Sequence, residues 1–170
     1  MDIRHNCTVE EEVIHMAKVE RSVLIRAPLE KVCGFARDWQ NIQRYMVYIH
    51  EVKPVTEKTI GPGARLKLRV KFLGSMRDAE WEGTEYTENV GWTFNATLMG
   101  RTAIKRWRFA KENGSTRVNF VLEWKTSPPV IGHIMDMLLL KPQWGKLYEQ
   151  SFQKLKSLME ARTTTTAPSS

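Results

Sequence analysis

The stretch ARLKLRVKF, residues 64–72, alternates apolar and basic side chains, and it constrains the fold more than any other segment. Leu66, Leu68, Val70 and Phe72 lie on one face of an extended chain, and basic residues occupy the other face. A period of two residues is typical of a β-strand with one buried face. The chain is therefore predicted to contain a sheet that buries one side.

Six further segments are predicted as strands, and turn residues separate most of them. The complete set covers about residues 16–26, 49–57, 64–72, 77–86, 91–99, 104–110 and 116–125. The sequence ENGST, residues 112–116, lies between two alternating runs and is a strong hairpin signal. Consecutive hairpins of this kind predict an antiparallel sheet with up-and-down connections.

The C-terminal segment has the periodicity of a helix. Its apolar residues recur at steps of three and four and form one stripe. They are Trp144, Leu147, Tyr148, Phe152, Leu155, Leu158 and Met159. A similar stripe runs upstream from Ile131 to Leu139, and Pro142 interrupts the pattern because it has no N–H to donate. We predict a long helix over about residues 129–161, kinked or broken near Lys141-Pro142.

The chain of 170 residues has the usual size of one domain. Residues 1–11 are predicted to be a flexible leader, residues 12–161 a single domain and residues 162–170 a disordered tail. The N-terminus lacks the regions of a secretory signal and no apolar run could span a membrane, so a cytoplasmic location is predicted. Cys7 and Cys33 are too few for a disulfide framework and are predicted to be free thiols.

The net charge of +7 has two explanations. One is an anionic partner such as nucleic acid, acidic lipid or an acidic carrier protein. The other, which we favour because the basic residues are scattered, is a solvated surface rich in lysine and arginine. The stretch GRTAIKRWRF, residues 100–109, interleaves arginine with aromatic residues, but inside–outside alternation of a strand produces the same pattern. No nucleic-acid partner is therefore predicted.

Established catalytic motifs are missing from the sequence. His5, Cys7 and His15 match no zinc-binding spacing, so no metal site is predicted. His133 and Asp136 lie three residues apart on the predicted helix, and such a pair can act as an acid–base couple. A solvated or capping role is the favoured interpretation of this pair.

The order of strand, short helices, strands and long helix resembles the START/Bet v 1-like helix-grip superfamily. The resemblance is closest to its polyketide cyclase/dehydrase and coenzyme-Q-binding START-like branch. The residues that carry it are SVLIRAPLEKV (22–32), DWQNIQRYMVYIHEVKPV (38–55), GPGARLKL (61–68), NGSTRVNFVLEW (113–124) and FQKLKSLMEA (152–161). The resemblance implies an α+β fold in which a curved antiparallel sheet of about seven strands wraps around a long C-terminal helix. It also implies two short helices after the first strand, closing one end.

A protein of this superfamily is expected to bind a hydrophobic small molecule, such as a lipid, quinone, isoprenoid or polyketide, between the sheet and the C-terminal helix. No cofactor is expected. The large and aromatic side chains are the predicted lining. They are Trp39, Tyr45, Met46, Leu68, Val70, Trp81, Phe94, Trp107, Phe120, Trp124, Met135 and Leu138. The resemblance and the positive charge are also compatible with a weak contact with an anionic membrane surface or an acyl carrier protein.

The alternative function that the resemblance implies is that of a polyketide cyclase, aromatase or dehydratase acting on a poly-ketone. Such an enzyme holds its substrate in a bent shape, and polar side chains polarise a carbonyl group or move a proton. The candidates for this role are Tyr45, Arg69, Asp78, Glu80, Tyr86 and Arg108. Arg69 and Arg108 lie on predicted outer faces, and Asp78 and Glu80 are expected outside because Trp81 takes the inner side. No catalytic residue is therefore assigned.

Overall fold

The computed structural model describes residues 16–126 and 135–164, with side chains up to residue 161. The strands are β1 (Met16–Ile25), β2 (Ile49–Pro54), β3 (Arg65–Phe72), β4 (Ser75–Thr87), β5 (Gly91–Leu98), β6 (Arg101–Glu112) and β7 (Ser115–Lys125). The helices are α1 (Leu29–Arg37), α2 (Trp39–Tyr45), a π-helical turn (Asp136–Leu140) and α3 (Lys141–Thr164).

The seven strands form one curved antiparallel sheet in the order β1-β7-β6-β5-β4-β3-β2. Strands β2 to β7 follow one another as neighbours, and β1 closes the order by pairing with β7. The buried face follows the predicted alternation, which is complete in β3, where every second residue is buried. The predicted α+β helix-grip fold is confirmed.

Helices α1 and α2 follow β1 directly, as predicted. Pro28 fixes its own φ and disfavours helix at Ala27, so the strand ends there and the first helix begins at Leu29. Asp38 then caps α2, because its side chain accepts a hydrogen bond of 3.0 Å from the backbone N–H of Gln40. The two helices lie at the end of the sheet where Ile25 of β1 pairs with Thr116 of β7.

The C-terminal helix is irregular where the sequence indicates it. Residues 136–140 form a π-helical turn, and the regular helix α3 runs from Lys141 to Thr164. Pro142 donates no hydrogen bond, so the turn before it lacks one of the bonds of a regular α-helix. The buried residues Tyr148, Phe152, Leu155 and Met159 pack α3 into the core. The predicted beginning of the helix near residue 129 lies outside the described residues.

The core is densest where aromatic rings of the sheet meet α3. Trp107 lies at its centre, with ring centroids 5.8 Å from Trp92, 5.1 Å from Phe120 and 5.2 Å from Phe152. Offset and edge-to-face contacts of this kind add to the free energy gained by burying the rings. This half of the interior is therefore packed with protein side chains.

The predicted leader lies outside the described residues, as do the side chains of the predicted tail. Cys33 is a free, buried thiol, and burial raises its pKa to about 12. Among the helices that the structure describes, none combines the length and the apolar character that a membrane crossing requires.

Candidate functional site

A cavity of about 190 Å³ lies between the sheet and the beginning of the C-terminal helical segment. Small residues on three adjacent strands create it. Ala79 of β4, Ala96 of β5 and Ala103 of β6 all line the space, and Ala96 and Ala103 are direct cross-strand partners. The methyl groups of this alanine patch reach only a short distance above the sheet. They therefore cannot reach the helix as the aromatic rings around Trp107 do, and a space is left.

The walls of the cavity are mostly apolar. Val70, Phe72, Trp81, Leu122, Trp124 and Trp144 supply most of the larger surfaces. The ring of Trp144 stacks on that of Phe72, with centroids 4.4 Å apart, and this contact joins α3 to β3. An apolar wall with few polar groups is typical of a site for a small hydrophobic molecule.

Two hairpin turns and the helical segment surround the opening of the cavity. Leu73 lies in the β3–β4 turn and Met99 in the β5–β6 turn; both line the cavity, and they are 45% and 59% exposed. Both have positive φ angles, 48° and 52°. Bulky side chains rarely adopt this conformation, whereas asparagine tolerates it, as Asn113 does in the β6–β7 turn. The opening thus keeps exposed apolar residues at positions that favour polar ones.

An ion pair joins the helical segment to the edge of the opening. Arg101, the first residue of β6, donates hydrogen bonds of 2.7 Å and 3.0 Å to the two carboxylate oxygens of Asp136. Asp136 is only 1% exposed and begins the π-helical turn. The two parallel hydrogen bonds fix both the distance and the orientation of the π-helical turn relative to β6.

Lys105 of β6 reaches the inner part of the cavity. It is only 4% exposed, although its side chain ends in an amine. Its Nζ lies 4.0 Å from the ring centroid of Trp81 and 5.9 Å from that of Trp144. No ion pair with a carboxylate forms at Lys105 among the residues that the structure describes. Burial therefore holds the pKa of Lys105 well below its usual value.

Two tyrosine hydroxyl groups extend this polar feature. Lys105 Nζ donates a hydrogen bond of 3.2 Å to Tyr48 Oη, which lies 2.8 Å from Tyr148 Oη. Burial raises the pKa of both phenols, so both keep their protons.

A third polar group, Trp124 Nε1, is buried and has no hydrogen-bond partner within the described part of the chain. A buried donor without a partner is uncommon in folded proteins.

The comparison with known families agrees with this architecture. The family described as "Polyketide cyclase / dehydrase and lipid transport" matches residues 16–160. The chain belongs to this family. The predicted membership of the superfamily and of its cyclase branch is thereby confirmed. Among curated proteins, no match reaches significance.

Solved structures share the fold of this polyketide cyclase/dehydrase family member at low sequence identity. TTHA0849 from Thermus thermophilus has a TM-score of 0.73 at 19% identity, over 86% of this chain and 99% of the other. The Zhui aromatase/cyclase from Streptomyces sp. R1128 has a TM-score of 0.74 at 13% identity, over 88% and 96%. Ara h 8.0201 has a TM-score of 0.64 at 11% identity, over 86% and 99%. These likenesses concern the fold alone.

The structure brings only part of the predicted lining to the cavity. Val70, Trp81 and Trp124 do line it. The others belong to the packed core or to the short helices: Trp39, Tyr45, Met46, Leu68, Phe94, Trp107 and Phe120. Trp107 and Phe120 show the physical reason: they lie on neighbouring strands, and their rings pack against each other and leave no space. The cavity arises over the small residues Ala79, Ala96 and Ala103.

Two further predicted lining residues lie at the surface. Met135 is 54% exposed and Leu138 is 75% exposed, and neither lines the cavity. The helical stripe predicted through residues 131–139 assumed a regular α-helix. The π-helical turn at residues 136–140 changes the angular step between residues, so Leu140 rather than Leu138 contacts the cavity.

The polar residues considered for catalysis do not line the cavity. Four of them form ion pairs on the outer face of the sheet: Arg69 with Asp78 at 3.7 Å, Glu80 with Arg65 at 3.4 Å and Arg108 with Glu85 at 3.3 Å. Tyr86 accepts a hydrogen bond of 2.5 Å from Arg37, and Tyr45 donates one of 2.9 Å to the carbonyl of Ala36. His133, the partner considered for Asp136, lies outside the described residues.

The polar residues that do line the cavity were missed. Lys105 shares its side of β6 with Trp107, which was predicted to line the cavity, so the alternation itself places the amine inside. Tyr48 lines the cavity and was not considered, and its hydrogen-bond partner Tyr148 belongs to the apolar stripe of the helix and was treated as core. In the described residues, no three His, Cys, Asp or Glu side chains come together to hold a metal ion.

Proposed function

We propose that this protein binds a hydrophobic small molecule that carries a carbonyl or hydroxyl oxygen. The apolar body of the ligand packs against Trp81, Trp144 and the alanine patch. Its oxygen accepts hydrogen bonds from Lys105 and from the indole N–H of Trp124. Membership of the polyketide cyclase/dehydrase and lipid transport family supports binding of a hydrophobic molecule. One structural neighbour is an aromatase/cyclase, which fits a ligand with ketone groups.

The observation that carries the proposal is the burial of Lys105 in an apolar cavity without a carboxylate partner in the described part of the chain. Burying such a group costs free energy that ordinary packing does not return. A methionine or leucine at this position would serve a purely structural core better. Polar groups that face an apolar cavity are the usual means of orienting a ligand.

The size of the cavity limits the ligand. About 190 Å³ is below the usual range of pockets for drug-sized molecules. A compact ring system fits inside, whereas a long isoprenoid or acyl chain has to extend past Leu73 and Met99 into solvent. The exposed apolar side chains of these two turns can cover such a chain. Contact with a membrane surface or an acyl carrier protein stays a prediction.

Native mass spectrometry of the freshly purified protein, followed by organic extraction, tests the proposal. A stoichiometric apolar adduct with an oxygen function is the expected result. Defined probes are tested in parallel by thermal shift and calorimetry: 1,4-naphthoquinone, farnesol, oleic acid and a polycyclic aromatic ketone. We expect Lys105→Met to bind the preferred probe about tenfold more weakly, the loss expected for one or two hydrogen bonds.

Lys111→Met is the matched control, because Lys111 is an exposed lysine of the same strand. This variant should bind like the wild type. Equal affinity of the wild type and Lys105→Met would show that the amine does not contact the ligand. Absence of an adduct together with no shift from any probe would overturn the binding function.

A cyclase or dehydratase activity on a poly-ketone is the second candidate. The observation that favours it is the side-by-side arrangement of Lys105 Nζ and Tyr48 Oη in the cavity wall. An amine and a protonated phenol can remove a proton next to a carbonyl group and donate one to its oxygen. Incubation with a short poly-β-ketone thioester should then release a cyclised product, and Tyr48→Phe should slow its formation about a hundredfold. Unchanged substrate would exclude this activity.

A further inference from the structure

Lys105 has surroundings that differ from those of an ion-paired or solvated lysine. Its Nζ lies within 6 Å of four ring centroids, those of Trp81, Tyr48, Tyr148 and Trp144. Its one described hydrogen bond is that to Tyr48. The other charged group of the cavity, Arg101, is four residues earlier on β6 and is bound to Asp136. That places the two side chains roughly 13 Å apart along the strand.

The ring faces attract an ammonium ion, but this attraction is weaker than the hydration that the ion loses on burial. No carboxylate compensates for that loss in the described part of the chain, so burial favours the uncharged amine. A neutral amine has a free electron pair and is a nucleophile at neutral pH. The same amine is accessible to any ligand in the cavity, because Lys105 forms part of its wall.

The neighbouring phenols can move the proton that such a nucleophile requires. Tyr48 Oη lies 3.2 Å from Lys105 Nζ and 2.8 Å from Tyr148 Oη. When an amine adds to a carbonyl group and water then leaves, both protons of the amine nitrogen end on the departing oxygen. A hydroxyl group within hydrogen-bond distance of the nitrogen is suitably placed to donate a proton to the oxygen and accept one from the nitrogen.

We propose that Lys105 captures an apolar aldehyde or ketone in the cavity as an imine. The nitrogen electron pair forms a bond to the carbonyl carbon, and the carbonyl oxygen takes a proton through Tyr48. The carbinolamine then loses its hydroxyl group together with the remaining N–H proton as water, so that lysine and a carbonyl compound give one imine and one molecule of water. This inference rests on the proposed function, since the carbonyl compound must first enter the cavity.

Reductive trapping tests the imine. The full chain is incubated at neutral pH with benzaldehyde, cinnamaldehyde or 2-naphthaldehyde, with and without sodium cyanoborohydride, and its mass is measured. We expect one equivalent of label, with a mass increase equal to the aldehyde less one oxygen atom, located by peptide mapping at Lys105. Lys105→Met and Lys105→Arg should lose this label, and Lys111→Met should keep it. Tyr48→Phe should slow labelling at Lys105 by roughly tenfold or more.

The corresponding alcohols separate this inference from the proposed function, because they bind without forming an imine. If calorimetry detects the alcohols but no aldehyde labels Lys105, the imine is wrong and the binding function stands. If neither the alcohols nor the aldehydes bind, both are wrong. Label spread over surface lysines, at the same level in Lys105→Met, also overturns the imine. Circular dichroism of each variant verifies that it is folded.

Discussion

At the scale of single residues, strand β6 places three side chains on the same inner face with very different roles. Trp107 and Phe109 fill the packed half of the interior, and Lys105 opens onto the cavity. The two aromatic residues gain free energy from burial, whereas the amine loses the hydration of its charged form. Buried titratable groups with a shifted pKa are concentrated at binding and catalytic sites.

Replacing Lys105 with methionine should therefore stabilise the protein. The expected gain in free energy of unfolding is roughly 1–4 kcal/mol at neutral pH, since an apolar side chain of similar length replaces a poorly hydrated amine. Tyr48 keeps its hydrogen bond to Tyr148 in this variant. Urea denaturation measures the effect, and Lys111→Met should change stability by less than about 0.5 kcal/mol.

The gain should depend on pH in a defined direction. The pKa of Lys105 is lowered in the folded protein and returns to about 10.5 on unfolding, so unfolding takes up a proton between these two values. Wild-type stability therefore rises with pH through that window, and the advantage of Lys105→Met shrinks as the pH approaches 10.5. An advantage that stays constant from neutral pH to 10.5 would show that Lys105 is protonated in the folded state.

The sequence contains the information that Lys105 faces inward but not that a cavity lies there. Alternation fixes the side of β6 on which each residue lies. Whether that side is filled depends on the residues opposite, and Ala96 and Trp124 come from other strands. For this reason Trp107 and Phe120 were predicted as lining although their rings contact each other.

At the scale of elements, the hairpin turns divide into two kinds. The β6–β7 turn has Asn113 at positive φ, the residue type that this conformation favours. The β3–β4 and β5–β6 turns have Leu73 and Met99 instead, both at the opening of the cavity. Strands and turns were predictable because their signals are local. The π-helical turn was not predictable, because Pro142 indicates that the helix is interrupted but does not determine the geometry of the interruption.

Exchanging side chains between these turns tests the division. Met99→Asn should raise the free energy of unfolding by up to about 1 kcal/mol, because asparagine adopts a positive φ at lower cost. The same change should weaken binding of a long-chain probe, since a polar group replaces the apolar edge of the opening. The reverse exchange, Asn113→Met, should lower stability by a similar amount and leave binding unchanged. Thermal unfolding and calorimetry measure both effects; equal binding by Met99→Asn would contradict the role of the turn.

At the scale of the whole molecule, the interior has an aromatic half, centred on Trp107, and an open half, which contains the cavity. Small residues of the sheet leave the space in the open half. The family match and the fold were predictable from the order of elements along the chain. The position of the cavity was not, because it depends on Ala79, Ala96 and Ala103 meeting across three strands. Alanine gives no signal of its own in a strand that alternates normally.

Filling the open half should separate stability from binding. Ala96→Leu partly fills the cavity with a larger side chain and should raise the free energy of unfolding by about 0.5–2 kcal/mol. It should also reduce the affinity for every probe, because leucine occupies the space of the ligand. The same substitution at the buried Ala36 of α1 enters packed core and should cost roughly 1–3 kcal/mol. Chemical denaturation measures the free energy of unfolding of the two variants. If both variants are destabilised, the walls of the cavity have relaxed to fill it and the prediction is wrong.

The distribution of the six tryptophans has an optical consequence. Trp81, Trp124 and Trp144 line the cavity, Trp92 and Trp107 lie in the aromatic half, and Trp39 begins α2. A bound chromophore such as a quinone would quench the emission of the first group far more than that of the second. The protein thus contains a fluorescent reporter of occupancy, and its ligand can be followed in unlabelled material.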